Sequence, residues 1–506
     1  MRGYPLCVFL LSAALAGIIT SCVHKPYSQV ITADGNFPQD VARIMVAKCA
    51  VSGCHNAASY HNASELRLDT WDALFNGGSS GAVVVPYNAE NSPLLYFVNT
   101  NAANGPLATP TMPESTTAFP QSPLTTAEYT TLKNWIANGA PDKNGNIAFS
   151  SNPDTRQKIY ITQQGCDLLA VIDAERHVVM RYIPIGASSA KVESPHCVRA
   201  ANDGMHMYAS FLNGDYVQKI DTRTDQLAGS ANVGSLKANG SWNILYVAPA
   251  DTAVVTSSWV GDGILAYLNS ATMNVDPGRT LGGGSTLVYP HGITSNRTFD
   301  TFFVTAQYGN VIYKMSADGM MYKQLSLNGS PAFTSTDSTI TAPNPHEILM
   351  APDYSHYFVT CQTSNEVRVL DAHTDSVLAH ISVGTLPQEM AWSTTVPYLF
   401  VSCMEDASTV SGMRGSVYAI NYNTLETIAI YGDFYQPHGL AVDDQNGLLY
   451  VVCTNANPAG PAPHHATACS GRAGWYSIYD LHTLQPINNK RYQLTVMPYS
   501  AATRFK

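Results

Sequence analysis

The repeat that decides the fold of most of this chain reads Pro345-His346, then Tyr357-Phe358-Val359-Thr360, then Val367-Arg368-Val369-Leu370-Asp371, and ends at Gly384. The two middle runs are short and rich in β-branched and aromatic residues, which is typical of strands. An opening strand and a closing strand flank them. Four short antiparallel strands in succession predict one blade of a β-propeller.

The opening of this repeat recurs at intervals of roughly 40–50 residues, as expected of repeat architectures. Clear openings are Pro195-His196, Pro290-His291, Pro345-His346, Pro387-Gln388 and Pro437-His438, with a degenerate one at Ser241-Trp242-Asn243 and a last one at Pro498-Tyr499. A single strand follows Pro498, whereas the segment at Lys158 begins with a second strand. We therefore predict an all-β seven-bladed propeller over residues 152–506, closed by the C-terminal strand.

The blade openings define a candidate site, because the first strand of each blade lines the central channel. The residue after each proline should join a ring around one channel mouth, and these residues are His196, His291, His346, Gln388 and His438, with Tyr499 and Trp242 or Asn243. Converging neutral imidazoles bind metal ions or substrates and transfer protons near neutral pH. Alternatively, Pro-His suits the turn between blades and each imidazole bonds nearby backbone.

Several cysteines follow the same period. Cys361, Cys403 and Cys453 each lie 15 positions after their ring residue and should end the second strand near the same channel mouth. Cys166, Cys197, Cys469 and the pair His464-His465 also map to that side. Disulfides such as Cys453–Cys469 are one explanation, and a soft-metal site for an ion such as copper is the other.

A different motif precedes the repeats: Cys49-Ala50-Val51-Ser52-Gly53-Cys54-His55. Two thiols followed by histidine form the arrangement that attaches haem covalently, with the imidazole as an iron ligand. The four residues between the cysteines exceed the usual two. A Cys49–Cys54 disulfide with an uninvolved His55 is the alternative.

The surrounding residues predict a small all-α domain over residues 37–146. Apolar spacing indicates helices over 40–48, 66–76 and around 92–96, and Thr125 with Glu128 fits a capping box at the start of a closing helix. Met112 lies between Pro110 and Pro113, on a stiff loop that suits a distal thioether ligand to iron. His61 is the rival ligand, but it follows His55 too closely to reach the opposite face.

The N-terminus predicts export. Arg2 precedes an apolar run from Leu6 to Ile19, which has the length of a signal peptide. The run ends in Ile19-Thr20-Ser21-Cys22, which resembles a bacterial lipobox with Cys22 as the lipid-modified residue. We expect a lipoprotein signal peptide at 1–22, a tether at 23–36, and a lipid-anchored place in the bacterial cell envelope. The alternative is an ordinary signal peptide with a chance cysteine.

The helical segment as a whole resembles bacterial cytochrome c domains fused to exported lipoproteins, on the haem motif, Val85-Pro86, Ser92-Pro93-Leu94, Met112-Pro113 and Leu132–Pro141. That resemblance implies Cys49 and Cys54 as haem attachment points, His55 as proximal ligand and Met112 as distal ligand. The repeats resemble YVTN-type seven-bladed propellers, a family known better for its shape than for one activity.

These features favour an electron-transfer protein whose partner is a redox protein or a small-molecule substrate. The net charge of -10 and the absence of a basic block argue against nucleic acid. No nucleophile elbow or phosphate loop occurs, which argues against hydrolases and kinases. An enzyme here would be a periplasmic oxidoreductase. The alternative function is a binding or scaffold lipoprotein whose propeller docks a partner or ligand without catalysis.

Overall fold

The structure is a computed structural model, and it describes residues 34–115, 120–318, 322–334, 337 and 339–505. The predicted signal peptide, Cys22 and most of the tether lie outside the described residues. Within the part of the chain that is described, no helix is long and apolar enough to cross a membrane.

The N-terminal part is helical. Its α-helices are α1 (Gln39–Ile44), α2 (Trp71–Leu74), α3 (Pro93–Val98) and α4 (Thr126–Ala137); a π-helical turn, Met45–Cys49, extends α1, and 3₁₀ turns occur at Tyr60–Asn62 and Ala102–Asn104. The predicted capping box is present, because Glu128 N–H donates to the Thr125 hydroxyl at 3.3 Å and Thr125 N–H donates to the Glu128 carboxylate at 2.8 Å. It fixes the start of α4, whose buried face packs into the domain core.

The helix expected over 66–76 is reduced to the four residues of α2. Its first part is extended because its backbone bonds to the haem motif. Leu68 N–H donates to the His55 carbonyl at 2.8 Å, and the Leu66 carbonyl faces the His55 ring at 3.1 Å. These backbone groups are therefore not available to a helical ladder.

The described remainder forms seven four-stranded antiparallel sheets, each one blade. Blade one contains β1 (Lys158–Gln163), β2 (Leu168–Asp173) and β3 (Val178–Pro184); blade two β4 (Pro195–Ala200), β5 (His206–Phe211), β6 (Tyr216–Asp221) and β7 (Gln226–Asn232); blade three β8 (Trp242–Val247), β9 (Ala253–Ser258), β10 (Gly263–Asn269) and β11 (Leu281–Leu287), with a 3₁₀ turn at Pro277–Arg279; and blade four β12 (Pro290–Ser295), β13 (Thr301–Ala306), β14 (Val311–Ser316) and β15 (Tyr322–Ser326).

Blade five contains β16 (Pro345–Met350), β17 (His356–Cys361), β18 (Glu366–Asp371) and β19 (Val377–Ser382); blade six β20 (Pro387–Trp392), β21 (Tyr398–Ala407), β22 (Arg414–Asn421) and β23 (Thr427–Ile430); and blade seven β24 (Pro437–Asp443), β25 (Leu448–Cys453), β26 (Ala473–Asp480) and β27 (Tyr492–Val496). The last strand, β28 (Pro498–Thr503), pairs antiparallel with β1 and supplies the missing inner strand of blade one. The predicted fold class and blade count are confirmed.

The repeated serine or threonine of the second strand joins neighbouring blades. Its hydroxyl donates to the backbone carbonyl of the ring residue on the next blade, in the pairs Thr162–His196, Ser210–Asn243, Ser257–His291, Thr305–His346, Thr360–Gln388 and Ser402–His438. Blade seven has Val452 at this position. The repeated hydroxyl therefore explains why the inner strands converge in register on the channel.

The helical domain packs on blades one, two and seven. Its core is continuous with buried side chains of blades one and two, among them Leu169, Met180 and Phe211. An ion pair between Arg176 and Asp72 at 2.8 Å and a backbone bond from Gln493 to Ser80 at 3.0 Å add polar contacts. The two parts thus share one continuous interface.

Candidate functional site

Cys49, Cys54 and His55 lie at the end of the first helical segment. Cys49 is buried at the end of the π-helical turn, and the chain then loops so that His55 N–H donates to the Cys49 carbonyl at 3.2 Å. Both thiols are free and face a cavity of about 390 Å³. The structure thus brings the three motif residues to one cavity, without a Cys49–Cys54 disulfide.

The His55 ring is held in one tautomer. Its Nδ1 lies 3.1 Å from the Leu66 carbonyl oxygen, which can only accept a hydrogen bond, so Nδ1 carries the proton. Burial lowers the pKa of His55, which keeps the imidazole neutral near pH 7. The lone pair on Nε2 is therefore free to ligate a metal, and the carbonyl contact is the usual way to orient such a ligand.

The two candidates for the second axial ligand differ in position. Met112 lines the cavity, and its backbone N–H donates to the Phe97 carbonyl at 2.7 Å, which fixes the loop. His61 is exposed, its ring packs on Tyr60 at 3.9 Å between centroids, and it does not line the cavity. Of the two, Met112 has the better placement.

The cavity suits a haem attached through Cys49 and Cys54. Its walls are mainly apolar, including Leu66, Leu94 and Phe97, and its volume falls in the usual range for cofactor sites. It presents two thiols, one imidazole with a free lone pair and one thioether, which is the donor set of a c-type haem site. The residues present therefore fit the group.

The propeller contributes to the same cavity, which the sequence did not predict. His464 and His465 lie in the insertion of blade seven (residues 454–472) and line the cavity, with their rings 5.3 Å from Phe97 and 5.7 Å from Tyr96. The adjacent His-His pair next to Cys469 was a visible signal, but its position across from the haem motif depends on tertiary packing.

A disulfide between Cys166 and Cys469, 303 residues apart, fixes this insertion to blade one. The suggested Cys453–Cys469 pairing was wrong, because Cys453 is a free thiol packed in the core between blades six and seven.

The ring residues converge inside the channel rather than at an open mouth. Five side chains, His196, His291, His346, His438 and Tyr499, form a circle of ring contacts, which we call the channel ring. Centroid distances around it run from 3.6 Å for His438–Tyr499 to 6.2 Å for His196–His291 and His346–His438. Gln388 is buried at the sixth position and accepts from Gln362 at 3.0 Å, and Asn243 rather than Trp242 holds the seventh.

Two members of the channel ring are especially close. The rings of His291 and His346 lie 4.1 Å apart between centroids, and His291 Nδ1 donates to the His346 carbonyl at 3.2 Å. Gly292 permits this approach, since a Cβ there would lie 2.7 Å from the same carbonyl oxygen. Burial lowers the pKa of both imidazoles, that of His346 to about 4, so both are neutral.

Charged residues follow the ring along the channel. Glu347 and Glu389 lie on neighbouring inner strands, 3.7 Å and 4.0 Å from the Arg199 guanidinium. Burial raises the pKa of Glu347 to about 7. All three residues also line a second cavity, of about 300 Å³, at the channel end opposite the ring.

The three thiols expected near the ring lie at the ring end of their second strands, where each pairs in register with the proline that precedes a ring residue. Cys361, Cys403 and Cys453, here called the interblade thiols, lie in the apolar layers between successive blades. Burial raises the pKa of all three, to about 12 for Cys361 and Cys453. Cys197 is likewise buried, between blades two and three. The expected position at the ring end of each blade is therefore confirmed, but the side chains pack between blades and do not join the ring, and nothing supports copper there.

The helical part matches a family profile. Residues 52–107 match the Planctomycete cytochrome C family, a span that begins after Cys49 and ends before Met112. The helical part is similar to a cytochrome c domain over these residues. Residues 434–457 match the NHL repeat, in blade seven. No curated protein matches the sequence significantly.

Solved structures resemble the chain at low identity. Hydrazine synthase of Kuenenia stuttgartiensis is 14% identical, with 63% of this chain and 93% of that chain covered and a TM-score of 0.46. Streptogramin B lyase is 13% identical, over 68% and 91%, with a TM-score of 0.47. Dihydro-heme d1 dehydrogenase NirN in complex with DHE is 11% identical, over 84% and 94%, with a TM-score of 0.43. These likenesses carry no functional argument.

Proposed function

We propose that this protein is an exported electron-transfer protein with one covalently attached haem. Cys49 and Cys54 form the thioether bonds, His55 is the proximal iron ligand, and Met112 is the distal ligand. When bound, the haem supplies a one-electron couple between ferrous and ferric iron. The protein's own side chains attach it, orient it and limit its contact with water.

The observation that carries this proposal is the His55 imidazole at the cavity wall. Its Nδ1 is committed to the Leu66 carbonyl, so only Nε2 remains as a ligand. The same cavity receives both thiols and the Met112 side chain. An uninvolved histidine beside a disulfide would not require this combination.

We further propose a lipid anchor at Cys22 and a place in the bacterial cell envelope. The lipobox-like sequence before Cys22 supports the anchor. The Cys166–Cys469 disulfide supports an oxidising compartment, because such bonds are rare in reducing cytosol.

The propeller engages the redox partner, which we propose to be a protein or a small-molecule substrate. Its insertion forms part of the haem cavity through His464 and His465, so a ligand bound to the propeller is coupled structurally to the haem. If the propeller catalyses a reaction, the protein is a periplasmic oxidoreductase.

The alternative is a binding protein without catalysis, and the 300 Å³ cavity at the end of the channel supports it. Candidate ligands that bind there but never change the redox state of the haem would favour this alternative. A ligand that reduces or oxidises the haem on mixing would favour the oxidoreductase.

Covalent attachment tests the main proposal. The full chain, produced in a host that matures c-type haem, should keep one haem after denaturation, seen in its intact mass and in the spectrum of the denatured protein. A variant with Cys49→Ser and Cys54→Ser should lose it. An unmodified mass with the two cysteines joined to each other would contradict the proposal.

A further inference from the structure

We propose that the propeller channel contains a binding site for a divalent transition-metal ion, formed by His291, His346 and Glu347. The site is separate from the haem cavity and does not depend on the proposed electron transfer. It lies where blades four and five meet, at the inner strands β12 and β16.

The geometry of the three residues suits one ion. Each offers a ligand atom, and these atoms lie within 4.8 Å of one another, with all three side chains buried. Ligand atoms about 2.0–2.2 Å from one tetrahedral zinc ion lie about 3.3–3.6 Å apart, so binding requires the side chains to close by at most about 1.5 Å.

The hydrogen bonds leave ligand atoms free. His291 Nδ1 donates to the His346 carbonyl, so His291 Nε2 keeps its lone pair. His346 Nδ1 and Glu347 Oε2 are buried and have no hydrogen-bond partner among the described residues. Buried polar atoms without partners are rare and costly, and a bound cation would satisfy both.

The charges around Glu347 also favour a bound cation. Glu347 and Glu389 are buried and share the Arg199 guanidinium, so one cation faces two carboxylates. A divalent ion at Glu347 supplies the missing positive charge, and buried carboxylates are normally paired or bound to metal. Histidines that only shape the turn between blades would not need a buried carboxylate beside them that shares its one counter-ion with a second carboxylate.

An entry path exists. Glu347 lines the 300 Å³ cavity at the far end of the channel, so an ion can reach the site from there. Three protein ligands leave at least one coordination position for water or substrate, which is the pattern of catalytic rather than structural zinc. Two imidazoles and one carboxylate suit zinc, ferrous iron or a similar ion, whereas the thiols that copper would favour are absent from the site.

Zinc uptake tests the site, because zinc is not confused with haem iron. The full-length, haem-containing protein is stripped with a chelator, incubated with Zn²⁺, separated from unbound ion, and analysed for metal. We expect one zinc per chain. Glu347→Gln keeps the shape but removes the charged ligand, and it should weaken zinc binding by about 100-fold or more, beyond the 10–100-fold typical of losing an outer partner.

Glu389→Gln is the matched control. It occupies the equivalent position on the next blade and contacts the same Arg199, but Gln388 rather than a histidine precedes it. This variant keeps all three ligands, so it should still bind one zinc per chain, with an affinity much closer to that of the wild type than Glu347→Gln has. Saturating zinc should raise the melting temperature of the wild type and of Glu389→Gln, but not that of Glu347→Gln. A second ligand variant, His291→Asn, should behave like Glu347→Gln.

Three results would overturn the proposal. The first is that the wild type retains no zinc, manganese or cobalt after the same treatment. The second is that the Glu347 and His291 variants retain one zinc with unchanged affinity. The third is that the zinc is lost on replacing His464 and His465 by alanine, which would place it in the haem cavity. Circular dichroism of each variant ensures that a loss of zinc reflects the site rather than the fold.

Discussion

Replacing Thr305 by valine tests the bonds that join neighbouring blades. The Thr305 hydroxyl accepts from Gly292 N–H at 2.8 Å and donates to the His346 carbonyl at 2.6 Å, and the side chain is fully buried. Valine has nearly the same shape but can make neither bond. The substitution therefore removes two hydrogen bonds while leaving the packing volume almost unchanged.

The expected cost follows from what each partner loses. Gly292 N–H becomes a buried donor without an acceptor, which costs about 1–3 kcal/mol. The His346 carbonyl keeps its bond from His291 Nδ1, so the second loss is smaller, about 0.5–1 kcal/mol. The free energy of unfolding should fall by about 1.5–4 kcal/mol. For a chain of 506 residues the unfolding entropy is about 1 kcal/mol/K, so the melting temperature should fall by roughly 1.5–4 °C.

Thermal melts followed by circular dichroism measure this, with Thr305→Ser as the control. Serine keeps both hydrogen bonds and loses one buried methyl group, at a cost of about 0.8–1 kcal/mol. Valine should therefore be the more destabilising of the two substitutions. If Thr305→Val is no worse than Thr305→Ser, the blade-joining role of the hydroxyl is wrong.

Three further predictions concern other parts of the chain. Met112→Ala should lower the haem reduction potential by at least about 59 mV, which for one electron is a tenfold change in the ratio of ferrous to ferric iron. An unchanged potential would exclude Met112 as a ligand. The interblade thiols should resist alkylation at pH 8 in the folded protein, because burial raises their pKa far above that pH. They should react only when the protein unfolds, and rapid labelling of the native protein would contradict their placement. Replacing Cys166 and Cys469 by serine should destabilise the chain by about 2–4 kcal/mol. It should also alter the haem spectrum, because His464 and His465 would be held less firmly in the cavity. An unchanged melting temperature and spectrum would show that the disulfide has no such role.

Much of the fold could be predicted because it repeats. The Pro-His openings and the strand runs set the blade count, and the lone C-terminal strand predicted how the ring closes. The capping box at Thr125 was also correct, since local hydrogen bonds define it. Patterns that depend on neighbours in sequence were therefore reliable.

The direction of the thiol side chains could not be predicted by counting along the strand. Thr360 and Cys361 are adjacent, so their side chains point to opposite faces of the sheet. Thr360 bonds to Gln388 on the following blade, and Cys361 packs against Phe303 and Ile312 of the preceding blade. Both residues end the second strand beside the ring, but the faces of a blade are covered by other blades, so neither side chain joins the ring.

Contacts between distant parts of the chain could not be predicted from the sequence either. The short α2 resulted from backbone bonds to His55, and the position of His464 in the cavity beside Cys49 and Cys54 required the helical domain to pack beside blade seven. Neither partner can be inferred from residue types or spacing alone. The same holds for Glu347, which sequence reasoning passed over although it directly follows a predicted ring residue.

The Cys166–Cys469 disulfide connects these features at one place in the molecule. The ring of blades closes between blades seven and one, where β28 follows β27 and pairs with β1. The disulfide joins the same two blades covalently, from the turn after β1 to the blade-seven insertion. That insertion carries His464 and His465 into the haem cavity. Separation of blades one and seven would therefore break the propeller ring and remove part of the haem cavity wall together, so one covalent bond protects both.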